Sequence, residues 1–324
     1  MKNKKILGCV SLLLCSPFSM AMQPMDDQSL SDTTGQDGIN IGVQATKVQI
    51  NQAALVDTNG AASIGYGSKA SVVVAGQTNT PVTLTVNGAS NTPVVGISID
   101  TDGGGATGKA FANISAAITR DITGIKISPF ALYLAGDSSS PTMTNQGSIF
   151  TAAGAQKADV KKFLMVGSAS NNFEIAFHST NKPKLNIQLG NVPQSHMMMF
   201  SGAIQSICGT GTGCPITLVS DTTTGPSGAT FDFQLKATDS VNGFSLNKFH
   251  AGVESGGLVF GNYGATATEK NASDKVNVSL NNVIMGTEGQ SSSTVFNGLA
   301  NGSMGSFGAV GASVTNLKMK VSGM

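Results

Sequence analysis

Apolar residues recur at every second position along most of this chain. The clearest run is Phe231, Phe233, Leu235 and Ala237, set against Asp232, Gln234 and Lys236. A period of two puts one set of side chains on each face of a pleated strand, so the run predicts a half-buried strand rather than an amphipathic helix. The pattern returns at Val82–Val86, Ile97–Asp100, Phe173–Phe177, Leu185–Leu189, Val276–Leu280 and Leu317–Val321, and less regularly from Ile125 to Leu134. Ile39, Ile41, Val43 and Ala45 begin the series; Val48 and Ile50 continue it after a shift of phase that predicts a bulge or a bend. Phe111, Ile114, Ile118 and Ile122 also fit a helical spacing, but the neighbourhood favours a strand. Asn-Gly pairs beginning at Asn59, Asn87, Asn242, Asn297 and Asn301 predict tight turns, since both residues tolerate positive φ. The expected fold is all-β, an elongated irregular β-solenoid or a large antiparallel β-sandwich, and strand spacings show no fixed repeat.

The first residues read differently. Lys2, Lys4 and Lys5 precede an apolar run from Ile6 to Leu14, the pattern of a secretory signal peptide and too short for a membrane span. Ser19-Met20-Ala21 places cleavage between Ala21 and Met22. Leu7-Gly8-Cys9 resembles a lipidation box, but too little apolar chain precedes it. Residues 22–38 predict a short acidic helical segment closing in a Gly-Gln-Asp-Gly turn, with Pro24 near its start and Asp26 and Asp27 favoured by the helix dipole. The expected organisation is a signal peptide at 1–21, that segment at 22–38, an N-terminal β region at 39–154 and a C-terminal β region at 155–324. The last two form either separate regions or one continuous domain.

Charge narrows the partners. Only 11% of residues are charged, against about 25% in an ordinary globular chain. Removing Lys2, Lys4 and Lys5 from the 19 Lys+Arg leaves 16 against 18 Asp+Glu, a net −2. With no basic stripe, nothing would neutralise a phosphate backbone, so nucleic acid is not an expected partner. Little repulsion opposes self-association.

Several motifs carry chemistry elsewhere and are weaker here. Gly103 to Lys109 has the phosphate-loop spacing, but Ala110 stands where a magnesium-binding hydroxyl belongs. Asp100 and Asp102 suggest calcium, yet Gly104 and Phe111 occupy positions that need oxygen ligands. His196 beside Met197, Met198 and Met199 offers soft copper ligands, but three methionines in a row more often fill a core. His178 and His250 are distant in sequence. No cofactor, metal or catalytic residue is expected. Cys208 and Cys214, the cysteines left after signal removal, enclose five residues of which three are glycine; they predict a disulfide in an exported protein.

LSDTTGQDGINIGV from Leu30, FLMVGSASNNFEIAF from Phe163, KPKLNIQLGNVPQSHMMMFSGAIQ from Lys182 and GAVGASVTNLKMKVSG near the end together resemble the FilA pilus assembly protein family of exported Gram-negative proteins. The junction Gly35, Gln36, Asp37, Gly38 and Ile39 is the most specific of these blocks. The resemblance implies a fimbrial or pilus-associated role at the cell surface or outer membrane after periplasmic transit. Other pilus or envelope proteins, or further copies of the chain, would be the partners. No enzymatic activity is implied, and no transmembrane helix is expected in the mature chain. The alternatives are an outer-membrane β-barrel and a secreted β-helix that binds or cleaves glycans. The barrel would want aromatic girdles; the glycan protein would want clustered stacking rings, whereas Tyr66, Tyr133 and Tyr263 are scattered.

Overall fold

The computed structural model describes residues 38–322 except 58, 68–69, 78–79, 89–91, 104–108, 137–160, 191–195, 220–227, 265–273 and 287–301. The signal peptide, its cleavage point, the expected helical turn in 22–38 and residues 35–37 of the junction lie outside the described residues. The chain divides into two units, Met1–Ile39 and Asn40–Met324. Apart from Gly38 and Ile39, the description concerns the second unit.

The described residues form strands and one 3-10 turn, Ala62–Ile64. The chain crosses back and forth in traverses of two or three strands. The first traverse is β1 (Ile39–Val43), β2 (Lys47–Ile50) and β3 (Gln52–Asp57); the second returns as β4 (Ala70–Gly76), β5 (Val82–Asn87) and β6 (Val95–Asp102). The third is β7 (Phe111–Ile118), β8 (Gly124–Ile127) and β9 (Phe130–Gly136), and the fourth β10 (Lys161–Val166), β11 (Phe173–Phe177) and β12 (Lys184–Gly190). The fifth holds β13 (Met198–Ser201), β14 (Ala203–Ile207) and β15 (Cys214–Val219). In the sixth, one long strand, β16 (Gly228–Ala237), precedes β17 (Phe244–Ser245) and β18 (His250–Glu254). The seventh and eighth keep the long strand: β19 (Gly257–Gly261) with β20 (Val276–Met285), then β21 (Gly302–Ala312) with β22 (Lys318–Val321).

These traverses build two sheets. The 8-stranded sheet has the order β1-β6-β7-β12-β13-β18-β19-β22, one strand from each traverse in succession. The 14-stranded sheet is split into two arms, β2-β5-β8-β11-β14 and β3-β4-β9-β10-β15, which meet on β16 and continue through β20 to β21. Each traverse therefore pairs with its neighbours in chain order, and the first and eighth stand at the edges. The ladders are antiparallel. At β1 the Val94 N–H donates to Val43 O and Ser98 Oγ donates to Asn40 Oδ1, which sets β1 against β6 in the same opposed sense. Antiparallel order resolves the two expected architectures: the sheets are consistent with a large β-sandwich, whereas a solenoid coil would return its strands in one direction. Neither sheet closes into a barrel. Strands from both sides of residue 154 share both sheets, and β9 and β10 are neighbours.

The strand β16 holds the large sheet together. On one edge it pairs with β20 from Ala229 to Ala237. A strand has two edges, so β15, paired with Gly228–Phe233, and β14, paired at Leu235 and Lys236, lie end to end along the other. The seam between the arms starts there and passes through Ser128-Pro129, where proline cannot donate to a ladder. Beside it Gln77, which follows β4, ties the ends of β9 and β10, its side-chain amide donating to the carbonyls of Phe130, Val166 and Gly167.

A core cluster lies on β4 and β9, where Val73, Ala75, Ala131, Tyr133 and Ala135 share one face. Small alanines leave room for the Tyr133 ring, whose burial contributes about 2 kcal/mol. Its buried hydroxyl donates to Gly76 O at 2.9 Å, so the phenol is not stranded. A second apolar chain links the sheets: Phe244 of β17 contacts Phe249, which stacks on Phe260 of β19, and Phe260 meets Phe200 of β13 edge-on, with ring centroids 5.8 to 5.9 Å apart. Beside it the ammonium of Lys248 pairs with Asp274 at 2.6 Å, both largely withdrawn from water.

Most expected strands form. The ambiguous stretch is β7, a strand, and the phase shift between Val43 and Val48 is where the chain leaves one sheet for the other. The Asn-Gly expectation needs one correction. Asn59-Gly60 and Asn242-Gly243 do turn the chain, with Gly60 at φ 60° and Gly243 at φ 72°. Asn87-Gly88 instead sits at the corner between β5 and β6. A Cβ on Gly88, at φ 135°, would collide with the Asp121 carbonyl, so glycine is required there by close approach rather than by a hairpin. The pair at 297 and Asn301 lie outside the described residues.

Candidate functional site

The disulfide forms between Cys208 and Cys214, with Cα atoms 5.3 Å apart. Cys208 follows β14 and Cys214 opens β15, so the bond fastens the two strands that share one edge of β16. Both cysteines are buried. Around it, Cys208 N–H donates to Glu174 O, and Gln234 Nε2 donates to Gly211 O at 3.2 Å. Cys208 and Cys214 are the cysteines of the described residues, and a buried bond closing a short loop between two strands is the arrangement of a structural staple.

His196 and His250, far apart in sequence, come together. Met199 and His250 are register partners, and the turn before β13 brings His196 over His250 with rings 3.3 Å apart and 9° from parallel. Tyr263 meets both rings edge-on, at 5.9 and 4.5 Å. Imidazole lone pairs lie in the ring planes, so two stacked rings do not converge on one ion. No group of three His, Cys, Asp or Glu side chains among the described residues is placed to share a metal. Met198 and Met199 are strand residues of β13.

A polar clasp continues from Tyr263. Its hydroxyl donates to Glu254 Oε1 at 3.3 Å, Glu254 accepts from Lys318 Nζ at 2.8 and 2.9 Å, and the Lys318 ammonium lies 4.7 Å from the Tyr263 ring. The hydrogen bond from Lys318 holds the Glu254 carboxyl below its ordinary range, and the lysine is raised in return. Burial, then the Glu254 charge, pushes the Tyr263 phenol up. The clasp ties β22 to β18 across the intervening β19. Sequence reasoning missed it because its members are spread from 254 to 318 and only the strand register aligns them.

His178 is separate. Its Nδ1 accepts from the Asn181 N–H at 3.0 Å, which leaves Nε2 to donate to Val241 O at 2.7 Å. It pins the turn after β16 to the end of β11. The phosphate-loop spacing falls between β6 and β7, register partners at Asp102 and Phe111; the element after Lys109 is a strand, so no helix N-terminus exists to receive a phosphate. Its residues 104–108 lie outside the described residues. Asp100 and Asp102 belong to β6. Of the tyrosines, Tyr66 is exposed, Tyr133 is core and Tyr263 lies against His196 and His250, so the three do not line one surface. Gly38, at φ 87°, and Ile39 carry the junction into β1.

The largest unexplained feature is at the two ends of the sheets. In the first traverse, β1 and β2 are exposed at every position, and Leu55 of β3 is 76% exposed. In the last, Ser303 to Val310 and all of β22 are exposed, with Phe307 at 52% and Val310 at 86%. Inner strands such as β7 and β11 have no exposed position. Apolar side chains that alternate into the interior elsewhere are therefore left facing water at both ends. Exposed edges usually carry charges or proline against unwanted pairing. β1 and β21 have neither, though bulges interrupt the inner ladder of β21.

No helix among the described residues is long and apolar enough to cross a membrane. No curated protein and no solved structure matches this chain. Over residues 1–124, through the first two traverses and into β8, the sequence is similar to a family of unknown function, DUF6160.

Proposed function

We propose that this chain is a non-enzymatic structural or adhesive component of a cell-surface pilus or fimbria, or of the apparatus that assembles it. The observation that carries the reading is the pair of open sheet ends with exposed apolar side chains, uncharged along β1 and β21, which suit a protein that works by being built into something larger. The sequence blocks shared with the FilA family support the same reading, as do the signal-peptide pattern and a disulfide of the kind that persists outside the cytoplasm. The low charge of the chain removes the repulsion that keeps soluble proteins apart.

The test is fractionation. Cells are sheared, released filaments are separated from membranes, and each fraction is probed for this chain. The expected result is recovery with the filaments, and filaments lost or altered when the gene is deleted. Tight retention in the outer membrane with filaments intact would refute it.

A further inference from the structure

We infer that copies of this chain associate head to tail, the last traverse of one pairing with the first traverse of the next. The inference rests on the structural reading above and supplies its partner, a second copy.

Strand direction points to this arrangement first. Successive traverses alternate, and the small sheet contains 8 among the described residues, one strand from each. An even number makes the first and last run in opposite senses. Stacking β22 of one copy beside β1 of the next, and β21 beside β2 and β3, would continue the antiparallel ladder in both sheets at once. An odd number would force a parallel junction.

The surfaces agree with that arrangement. Among the described residues no strand pairs with the outer edge of either end, and both ends expose apolar side chains: Ile41 and Leu55 at one end, Met319 and Phe307 at the other. A repeat stack normally needs polar caps at its ends, whereas among the described residues the first and last strands expose apolar side chains. The lysines of β22 are exposed and each is engaged within its own copy, Lys318 with Glu254 and Lys320 with Ser255 O at 2.8 Å. A first end that fits a different last end makes a heterologous contact, which propagates instead of closing on a dimer.

Sedimentation velocity on the purified exported chain tests this with Ile41→Lys at the first end and Phe307→Lys at the last. The wild type is expected to form a ladder of species that lengthens with concentration. Each variant alone stays monomeric, and an equimolar mixture stops at the dimer, because each supplies one intact end. That dimer also shows both variants to be folded. A wild type that stays monomeric throughout would overturn the inference, as would a mixture that grows beyond the dimer, or a single variant that associates as far as the wild type. Head-to-tail association by a chain absent from the filament fraction would sink the pilus reading alone. A monomeric chain recovered in filaments would sink this inference alone.

Discussion

Removing the disulfide should weaken the seam of the large sheet by an amount that the loop sets. Cys208 and Cys214 are separated by 6 positions, closing a loop of seven residues. Chain-entropy bookkeeping for that length gives about 8 cal/mol/K, or about 2.4 kcal/mol at 25 °C. Replacing both with alanine also removes two buried sulfurs, at about 0.8 kcal/mol each if a sulfur is treated as a methylene. The Cys208→Ala/Cys214→Ala chain should therefore lose about 4 kcal/mol, and the reduced wild type, which keeps its sulfurs, about 2.4 kcal/mol. Urea unfolding of oxidised, reduced and substituted chains measures all three. Hydrogen exchange should show β14 and β15 losing protection first, while β20 keeps its own along the far edge of β16. Oxidised and reduced midpoints that coincide would refute the reasoning, because the bond would then restrain nothing that the strands do not already hold.

Three other outcomes follow from the same structure. Asp274→Ala takes a carboxylate partner from the buried Lys248 ammonium and should cost about 1.5–3 kcal/mol, whereas Lys248→Met with Asp274→Leu should recover most of that; thermal unfolding of both chains checks it. A methyl on Gly261 would run into the Leu317 carbonyl across the β19–β22 ladder, so Gly261→Ala should destabilise by about 1–3 kcal/mol and loosen β22 in hydrogen exchange. The Glu254 carboxyl is depressed by Lys318, so its clasp is complete above the ordinary carboxylate range and is lost as pH falls through the lowered folded value. The stability difference between wild type and Glu254→Gln should accordingly be constant near neutrality and shrink below about pH 4; a difference that grows on acidification would reverse the sign.

Individual strands were legible where apolar and polar side chains alternate. Phe231 to Ala237 and Phe173 to Phe177 read correctly as strands because a period of two fits a pleated backbone, although every position of β11 is partly buried. The glycine-rich β21, GSMGSFGAVGA, carries no such record, since it is exposed along most of its length. The stacking of traverses was also hidden. Traverse one occupies 39–57 and traverse two 70–102, so the repeat lies in the pairing and not in any sequence period. The Cys208 loop was readable because seven consecutive residues contain the whole of it. The meeting of His196, His250 and Tyr263 was not, because only the register of β13 against β18, and of β18 against β19, aligns them.

The most direct test of head-to-tail stacking is the subunit spacing in filaments that contain this chain, measured from the power spectrum of electron micrographs. Strands in a sheet lie about 4.8 Å apart, so a ladder that continues across copies gives a rise of about 38 Å for 8 traverses. A rise near that value, together with a 4.8 Å spacing along the filament axis, is the predicted result. A rise unrelated to eight strand spacings, or filaments in which the strands run along the axis, would contradict it.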